Sequence, residues 1–254
     1  MPSRQIHPTA LIGAQVKLGA AVTIGPYAII EDQVDIGDGC FIEAHAVIRS
    51  YVRMGKRNRI HPHAIIGGLP QDLSFQPSTL SGVRIGDDNV LREGVTVNRA
   101  TQEHGETRIG NACYLMNNSH VAHDCEVGDG SIFATGATIG GHVKVGAKVF
   151  LGGGAMVHQY CRIGSLAMIR GVTGISMDVI PYTLAGGTPV RHYRLNSVGL
   201  RRSGIDGTRY QALSAAFRRL RKREKFDDLE TTPEILYLRT WLQQPSKRGI
   251  HAFL

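Results

Sequence analysis

Between Ile109 and Ile175 every sixth residue is apolar: Ile109, Leu115, Val121, Val127, Phe133, Ile139, Val145, Leu151, Val157, Ile163, Ile169 and Ile175. With 42% of the chain apolar, such a run has a chance of about 3 in 100,000 in one register, so it is a repeat. The same lattice occupies the N-terminal quarter, through Ile6, Ile12, Leu18, Ile24, Ile30, Ile36, Ile42, Ile48, Met54, Ile60 and Ile66. A period of six matches neither the 3.6 of a helix nor the 2 of a lone strand; it predicts a solenoid of short strands joined by turns. Four positions after each large aliphatic the residue is small, as at Cys113, Ser119, Cys125, Ser131 and Ala137, which a narrow close-packed interior requires. Glycine often follows the aliphatic directly (Gly110, Gly128, Gly140, Gly146, Gly152, Gly164), and these glycines are expected to form the tight corners.

The lattice is interrupted twice. Residues 67–84 and 98–108 fall out of register, and each predicts a loop thrown off one face and rejoining the coil, the usual place for binding groups. Asp72 is the candidate in the first loop, with a turn-capping role as its competing reading. Pro181 and Gly187 take the next lattice sites after Ile175, so residues 1–190 are expected to form the solenoid and 191–254 a helical C-terminal domain. Within it, Tyr210, Leu213, Phe217 and Leu220 mark one amphipathic face, and Thr232 followed by Pro233 marks a helix start. The large-small hexads resemble the hexapeptide-repeat acyltransferases, and that resemblance implies an all-β left-handed parallel β-helix with three hexads, or 18 residues, per coil.

Composition adds little that is specific. All four cysteines, Cys40, Cys113, Cys125 and Cys161, sit at the small inward position, which packing explains without disulfide or metal. The N-terminus lacks the layout of a signal peptide and no apolar run is long enough for a membrane span, so a cytoplasmic protein is expected. The formal net charge of +8 favours an acidic partner, and the run Arg218 to Lys225 is its densest part, read equally as a solvated helix face.

Chemistry enters with the histidines. His45 and His63 stand one coil apart and read as a structural ladder. His123, His142 and His158 are separated by near multiples of eighteen, which predicts one shared edge on successive coils, with His120 on the adjoining wall. An imidazole beside a carboxylate, as in His123-Asp124, suits general-base catalysis, and Gly140-Gly141 offers a backbone N–H for an oxyanion. A metal site is the alternative, although a coil spacing of about 5 Å is loose for zinc.

The segments His120-Val121-Ala122-His123-Asp124-Cys125, Gly140-Gly141-His142-Val143 and Val157-His158-Gln159 resemble the UDP-N-acetylglucosamine acyltransferase family of lipid A synthesis. Ile6-His7-Pro8-Thr9-Ala10, Gln71-Asp72-Leu73, Asp178-Val179-Ile180-Pro181-Tyr182 and Gly199-Leu200-Arg201-Arg202-Ser203-Gly204 extend the likeness over nearly the whole chain. The resemblance implies transfer of a 3-hydroxyacyl group from acyl carrier protein to the 3-hydroxyl of UDP-GlcNAc, by a homotrimer with no cofactor and no metal. It implies His123 as general base, Asp124 as its orienter and the Gly141 N–H for the tetrahedral intermediate. His120, His142, His158 and Gln159 would line the sugar, pyrophosphate and acyl sites, Asp72 would bind the sugar, Asn196 and Arg202 the nucleotide, and Gly171 would leave room for the acyl chain. Four positions depart from the family pattern: Ser74 stands for a lysine, Asn98 for a histidine, Val198 for a glutamate and Ser203 for a second arginine. They leave open a 3-amino or other nucleotide sugar as acceptor, and a zinc-dependent lyase of the carbonic-anhydrase type is the reading from another class.

Overall fold

The computed structural model describes residues 4–254; Met1, Pro2 and Ser3, part of the N-terminal segment considered above, lie outside them. Among the described residues the strands form three sheets of eleven, nine and eight members, parallel and taking every third strand of the chain up to Ile175. The first wall begins at Gln5–Ile6, the second at Leu11–Ile12 and the third at Lys17–Leu18. Gln5 pairs with Thr23, Leu11 with Ile29 and Lys17 with Asp35, so one coil is 18 residues. Backbone N–H groups donate to the coil above, as from Thr23 to Cys40 (2.9 Å), which satisfies the amides of strands only two residues long.

The lattice aliphatics fill the interior: Ile24, Ile42, Ile60, Leu91, Leu115, Phe133 and Leu151 are all buried along the first wall. All four cysteines are buried and free, and burial pushes the Cys125 and Cys161 thiols up to about 12. At the same inward position Asn58 and Asn89 form a buried pair, the Asn89 amide donating to the Asn58 Oδ1 at 2.9 Å.

The corners are built differently from expectation. Positive φ falls three residues after the buried aliphatic, at Tyr27, His45, Tyr51, His63, Asn118, Asp124, His142, Lys148 and Tyr160 among others, and most of these residues are not glycine. The glycine directly after the aliphatic serves close packing of coils instead: a Cβ on Gly128 would stand 2.6 Å from the Ala147 nitrogen. Histidine, asparagine and aspartate tolerate the left-handed region better than most residues, so a histidine at a corner has a backbone reason before any chemical one.

Both excursions leave from the edge between the second and third walls. The chain departs after Ile65–Gly68 and returns at Gly82–Ile85, then departs after Thr96–Asn98 and returns at Glu106–Ile109. Pairing of Ile65 with Thr96, and of Thr96 with His120, carries the wall past both loops, with one register shift between Ile66 and Gly68 where the first loop leaves. The loops support each other: the Glu103 carboxylate accepts the Leu80 N–H at 3.1 Å. Arg99, buried between the rings of Tyr51 and Phe75, donates to the Pro77 carbonyl at 2.8 Å.

The sheet continues past residue 190, where helix was expected: Thr183–Gly186 and Arg191–Leu195 form an antiparallel hairpin that closes the first wall. Helices follow as α1 (Ser197–Arg202), α2 (Gly207–Lys222) and α3 (Pro233–Gln243). Thr232 caps α3 by accepting the Ile235 N–H, with Pro233 in the first turn. Among the described residues no helix is long and apolar enough to cross a membrane.

Candidate active site

The edge that throws out both loops also carries the histidines. His120 ends up on the second wall beside Thr96, with Nδ1 2.7 Å from the threonine hydroxyl. Burial lowers its pKa, and the neighbouring His123 adds to the effect. Past the buried Val121 the chain turns at Asp124, whose φ of +58° aims the carboxylate back along the edge. There Asp124 accepts from the Thr101 N–H and from its hydroxyl at 2.7 Å, so the second loop is tied to the turn. The same carboxylate lies 2.8 Å from His123 Nδ1 and 3.7 Å from His142 Nε2.

His123 is buried apart from its ring edge, with 8% of its surface exposed, and its Nε2 has no partner among the described residues. A proton on Nδ1, facing Asp124, leaves Nε2 as the free lone pair, the tautomer a general base needs. The ring lies against Gly141 of the next coil, where an added Cβ would fall 2.6 Å from Nε2. Gly141 is therefore required by the space His123 occupies, and its N–H donates to no acceptor among the described residues. His142 meets His123 edge-on, with centroids 5.2 Å apart, and donates its N–H to the His123 carbonyl at 3.0 Å. Burial, more than any neighbour, lowers the His142 pKa and favours the neutral ring.

The third ring of the edge is Tyr160, not His158. Tyr160 stacks flat on His142, with centroids 4.5 Å apart and planes 5° from parallel. His158 is exposed, with Nδ1 3.3 Å from the Gln159 carbonyl, and it joins no ring stack among the described residues. Near multiples of eighteen pick out the wrong aromatic; the exact spacing gives Asp124, His142 and Tyr160, the three corner residues of positive φ. Tyr160 was thus within reach of the sequence, whereas Thr101 sits off the lattice and gives no periodic signal.

Asp72 caps its own turn and lies near the histidine edge. Its Oδ1 accepts the Ser74 N–H (2.8 Å) and hydroxyl (2.7 Å), which hold the carboxyl below its usual range, and the charges of His123 and His142 lower it further. Ser74 is thereby part of the turn that presents Asp72. Asn98 is buried, with its amide donating to the Leu69 carbonyl at 2.8 Å and its Oδ1 without a partner.

Three of the expected site residues lie elsewhere on the chain. Gly171 is at the edge between the first and second walls, two residues after Ile169. Asn196 caps α1 by accepting the Gly199 N–H and donates to the Leu166 carbonyl at the edge between the third and first walls. Arg202, exposed in the last turn of α1, is near it. One chain therefore brings together Asp72, His120, His123, Asp124, Gly141, His142, His158 and Gln159, but not Gly171, Asn196 or Arg202.

His123, Asp124 and His142 also present ligand atoms within 4.8 Å of one another, the spacing at which a metal ion can be considered. The 2.8 Å hydrogen bond between His123 Nδ1 and Asp124 accounts for the tightest pair without one.

Comparison with known proteins agrees with this geometry. Residues 178–251 match the model for UDP N-acetylglucosamine O-acyltransferase, domain 2, and residues 106–141 match the bacterial transferase hexapeptide model. An acyl-[acyl-carrier-protein]–UDP-N-acetylglucosamine O-acyltransferase from Anaeromyxobacter sp. (strain K) is 51% identical over 79% of this chain and 78% of its own. The enzyme of the same description from Janthinobacterium sp. (strain Marseille) is 44% identical over 84% and 81%. Among solved structures, the UDP-N-acetylglucosamine acyltransferase from Campylobacter jejuni superposes with a TM-score of 0.92 at 34% identity, over 98% of this chain and all of that one. The shared architecture is the left-handed parallel β-helix with a small helical C-terminal part, as the hexads implied.

Proposed function

The chain belongs to the UDP-N-acetylglucosamine O-acyltransferase family, and on that premise we propose that its histidine edge transfers a 3-hydroxyacyl group from acyl carrier protein to the 3-hydroxyl of UDP-GlcNAc, the first step of lipid A synthesis. The observation that carries the mechanism is His123, held through Nδ1 by Asp124 at 2.8 Å with Nε2 open to a substrate. His123 Nε2 takes the proton of the sugar hydroxyl as its oxygen attacks the thioester carbon. The oxyanion of the tetrahedral intermediate meets the Gly141 N–H. Collapse expels the thiolate of the carrier arm, which takes the proton back from His123. Asp72, at the tip of its turn, binds the sugar, while His120, His142, His158 and Gln159 line the edge. The acidic carrier protein suits the basic face of α2, where Arg218, Arg221, Lys222 and Arg223 are exposed.

The outward residues of the walls support a homotrimer. The third wall shows Lys17, Asp35, Arg53, Arg84, Arg108, Glu126 and Lys144, a charged row for solvent. The second wall instead shows Leu11, Ile29, Val47 and Ile65 over its N-terminal half, before Thr96, His120 and Thr138, and the first, beyond Arg59, shows Val90, Tyr114, Ile132, Phe150 and Met168. Apolar stretches on two outer faces of a parallel β-helix call for copies of the chain against them. Packing of that kind brings the Gly171 and Asn196 edges of one copy to the histidine edge of another, completing the acyl and nucleotide sites. A trimeric mass in sedimentation, lost in Ile65→Asp, is the expected result.

The decisive assay supplies acyl-acyl carrier protein and UDP-GlcNAc. His123→Ala is expected to lose about 10²–10⁴-fold in kcat with the trimer intact; unaltered turnover removes the base assignment. The 3-amino analogue of the acceptor tests the departures at Ser74, Asn98, Val198 and Ser203, and a faster reaction with it would reassign the acceptor.

A further inference from the structure

The end of the chain returns to the histidine edge. Beyond α3 the Ser246 hydroxyl accepts the N–H groups of Arg248 (3.2 Å) and Gly249 (2.8 Å), a tight turn that presents Lys247. The turn is fastened to the β-helix on both sides: Arg248 Nε donates to the Gln159 carbonyl at 2.9 Å, and the Asp178 N–H donates to the Gly249 carbonyl at 2.7 Å. So placed, the Lys247 ammonium lies 4.2 Å from the centre of the Tyr160 ring, and the other face of that ring covers His142. Lys247 has no carboxylate within ion-pair distance among the described residues, and the carboxylate of the edge corner, Asp124, is engaged by Thr101 and His123.

An ammonium held over a ring, without a counter-ion and beside an open catalytic edge, is a site for an anion from outside the chain. Both substrates of the proposed reaction bring one: the nucleotide sugar has a diphosphate, and the carrier protein presents its acyl group on a phosphopantetheine arm. We propose that Lys247 is a phosphate-binding residue of the transfer site, recruited from the C-terminal segment onto Tyr160. The proposal rests on the acyltransferase reading above for the identity of the phosphate. Tyr160 is its platform, and Arg248 is a positioning residue that fixes the turn. Lys247 touches no reacting atom, so its contribution is to substrate binding rather than to the chemical step.

Direct binding and turnover of the full-length protein test this separately. Lys247→Met keeps the stem on Tyr160 and removes the charge; Lys247→Arg restores the charge. In calorimetry with UDP-GlcNAc and with free phosphopantetheine, Lys247→Met is expected to weaken one of them about tenfold, with Lys247→Arg recovering most of the loss. Loss on UDP-GlcNAc assigns the diphosphate, and loss on phosphopantetheine assigns the donor arm. In steady state the same variant raises the matching KM with kcat nearly unchanged, and the difference shrinks as salt is added. Equal affinities of Lys247→Met and the parent for both ligands overturn the proposal, as does an equal loss in Lys247→Met and Lys247→Arg, which would mark a structural staple. Inactivity of the parent protein with both substrates present would instead overturn the acyltransferase reading, and the binding comparison still decides the role of Lys247.

Discussion

Two edges of the same prism carry stacked rings, and only one of them is built for chemistry. Between the first and second walls, Tyr27, His45 and His63 stack at 5.3 and 5.2 Å with planes 9° and 7° from parallel. Between the second and third walls, His142 and Tyr160 stack the same way, at the same corner position with the same left-handed φ. The difference is His123. It stands one residue before the corner, turns 88° to His142, and takes the space left by Gly141. The repeat alone makes ladders; a catalytic edge needs a side chain out of step with the ladder, a carboxylate at the corner below it, and a vacancy on the coil above. The loops add the last difference, since the ladder edge has uninterrupted turns while both excursions rise from the histidine edge.

The comparison breaks most sharply at Gly141. Gly141→Ala pushes a methyl to 2.6 Å from His123 Nε2, so the ring must move or tilt. A displacement near 1 Å costs about 10²-fold in kcat. Thermal unfolding should barely change, because the methyl points at an edge and not into the core. A variant that retains the parent kcat would mean that the vacancy is incidental and that the edge tolerates a ladder-like arrangement.

Removing the tie between loop and corner comes next. Thr101→Val deletes the hydroxyl that donates to Asp124 at 2.7 Å while keeping the shape. One hydrogen bond to a charged group is worth about 1.5–3 kcal/mol, so a rate loss of about tenfold or somewhat more is expected. Because the carboxylate keeps its bond to His123, the loss should appear as a looser second loop, read as faster proteolysis within residues 99–105. An unchanged cleavage rate together with unchanged kcat would show that Asp124 is held by His123 alone.

These particulars also show how much the sequence revealed. The solenoid, its inward cysteines and the two excursions follow from a period of six, which is a statement about packing and hence written in apolar residues, whereas three walls per coil came from the resemblance to the hexapeptide-repeat acyltransferases. His123 with Asp124 was visible as a pair, and Gly141 as a glycine beyond the lattice need. Tyr160 was missed because the offsets of 19 and 35 favour His158, when the corner repeats at eighteen. Thr101, Arg99 and Lys247 could not be read at all: the first two lie in loops whose path no periodicity dictates, and Lys247 arrives from a turn 89 residues beyond Gln159 along the chain, a juxtaposition seen in the Arg248 to Gln159 bond. The second strand of the hairpin, Arg191–Leu195, was placed in the helical domain because only its absence from the six-residue lattice was legible.

Acid tests of the histidine edge must be separated from acid damage to the cap. His192, fully buried with Nε2 accepting the Ile180 N–H at 3.0 Å, is pushed by burial down to about 4. Its unfolded value is about 6.5, so the unfolded chain takes up the proton first. Stability is therefore complete above pH 6.5 and is lost as pH falls toward 4, by on the order of 3 kcal/mol. His192→Gln should flatten that dependence in denaturant titrations at pH 7.5 and 5 while leaving turnover at pH 7.5 near the parent value. An unchanged slope would place the acid sensitivity in another group, with buried His251 the next to replace.

The smallest effect belongs to the ladder, and it separates ring from corner. His45→Ala removes two stacked contacts, at 5.3 and 5.2 Å, each worth about 0.5–1.5 kcal/mol when well packed and less on an exposed edge. It also puts alanine at φ +60°, a conformation that costs an ordinary L-residue about 1 kcal/mol or more. His45→Gly loses the same rings without the corner strain. Denaturant midpoints should therefore order parent, glycine, alanine from most to least stable, with the whole range near 1–2 kcal/mol. Neither variant should move kcat or either KM beyond twofold, because the His45 ring stacks on Tyr27 and His63 and, among the described residues, forms no ion pair. If alanine proves as stable as glycine, the left-handed corner imposes no cost at this position, and the preference for histidine there comes from stacking alone. A kcat loss in both, comparable with that of Gly141→Ala, would erase the distinction between the two edges and require the ladder to be part of the working site.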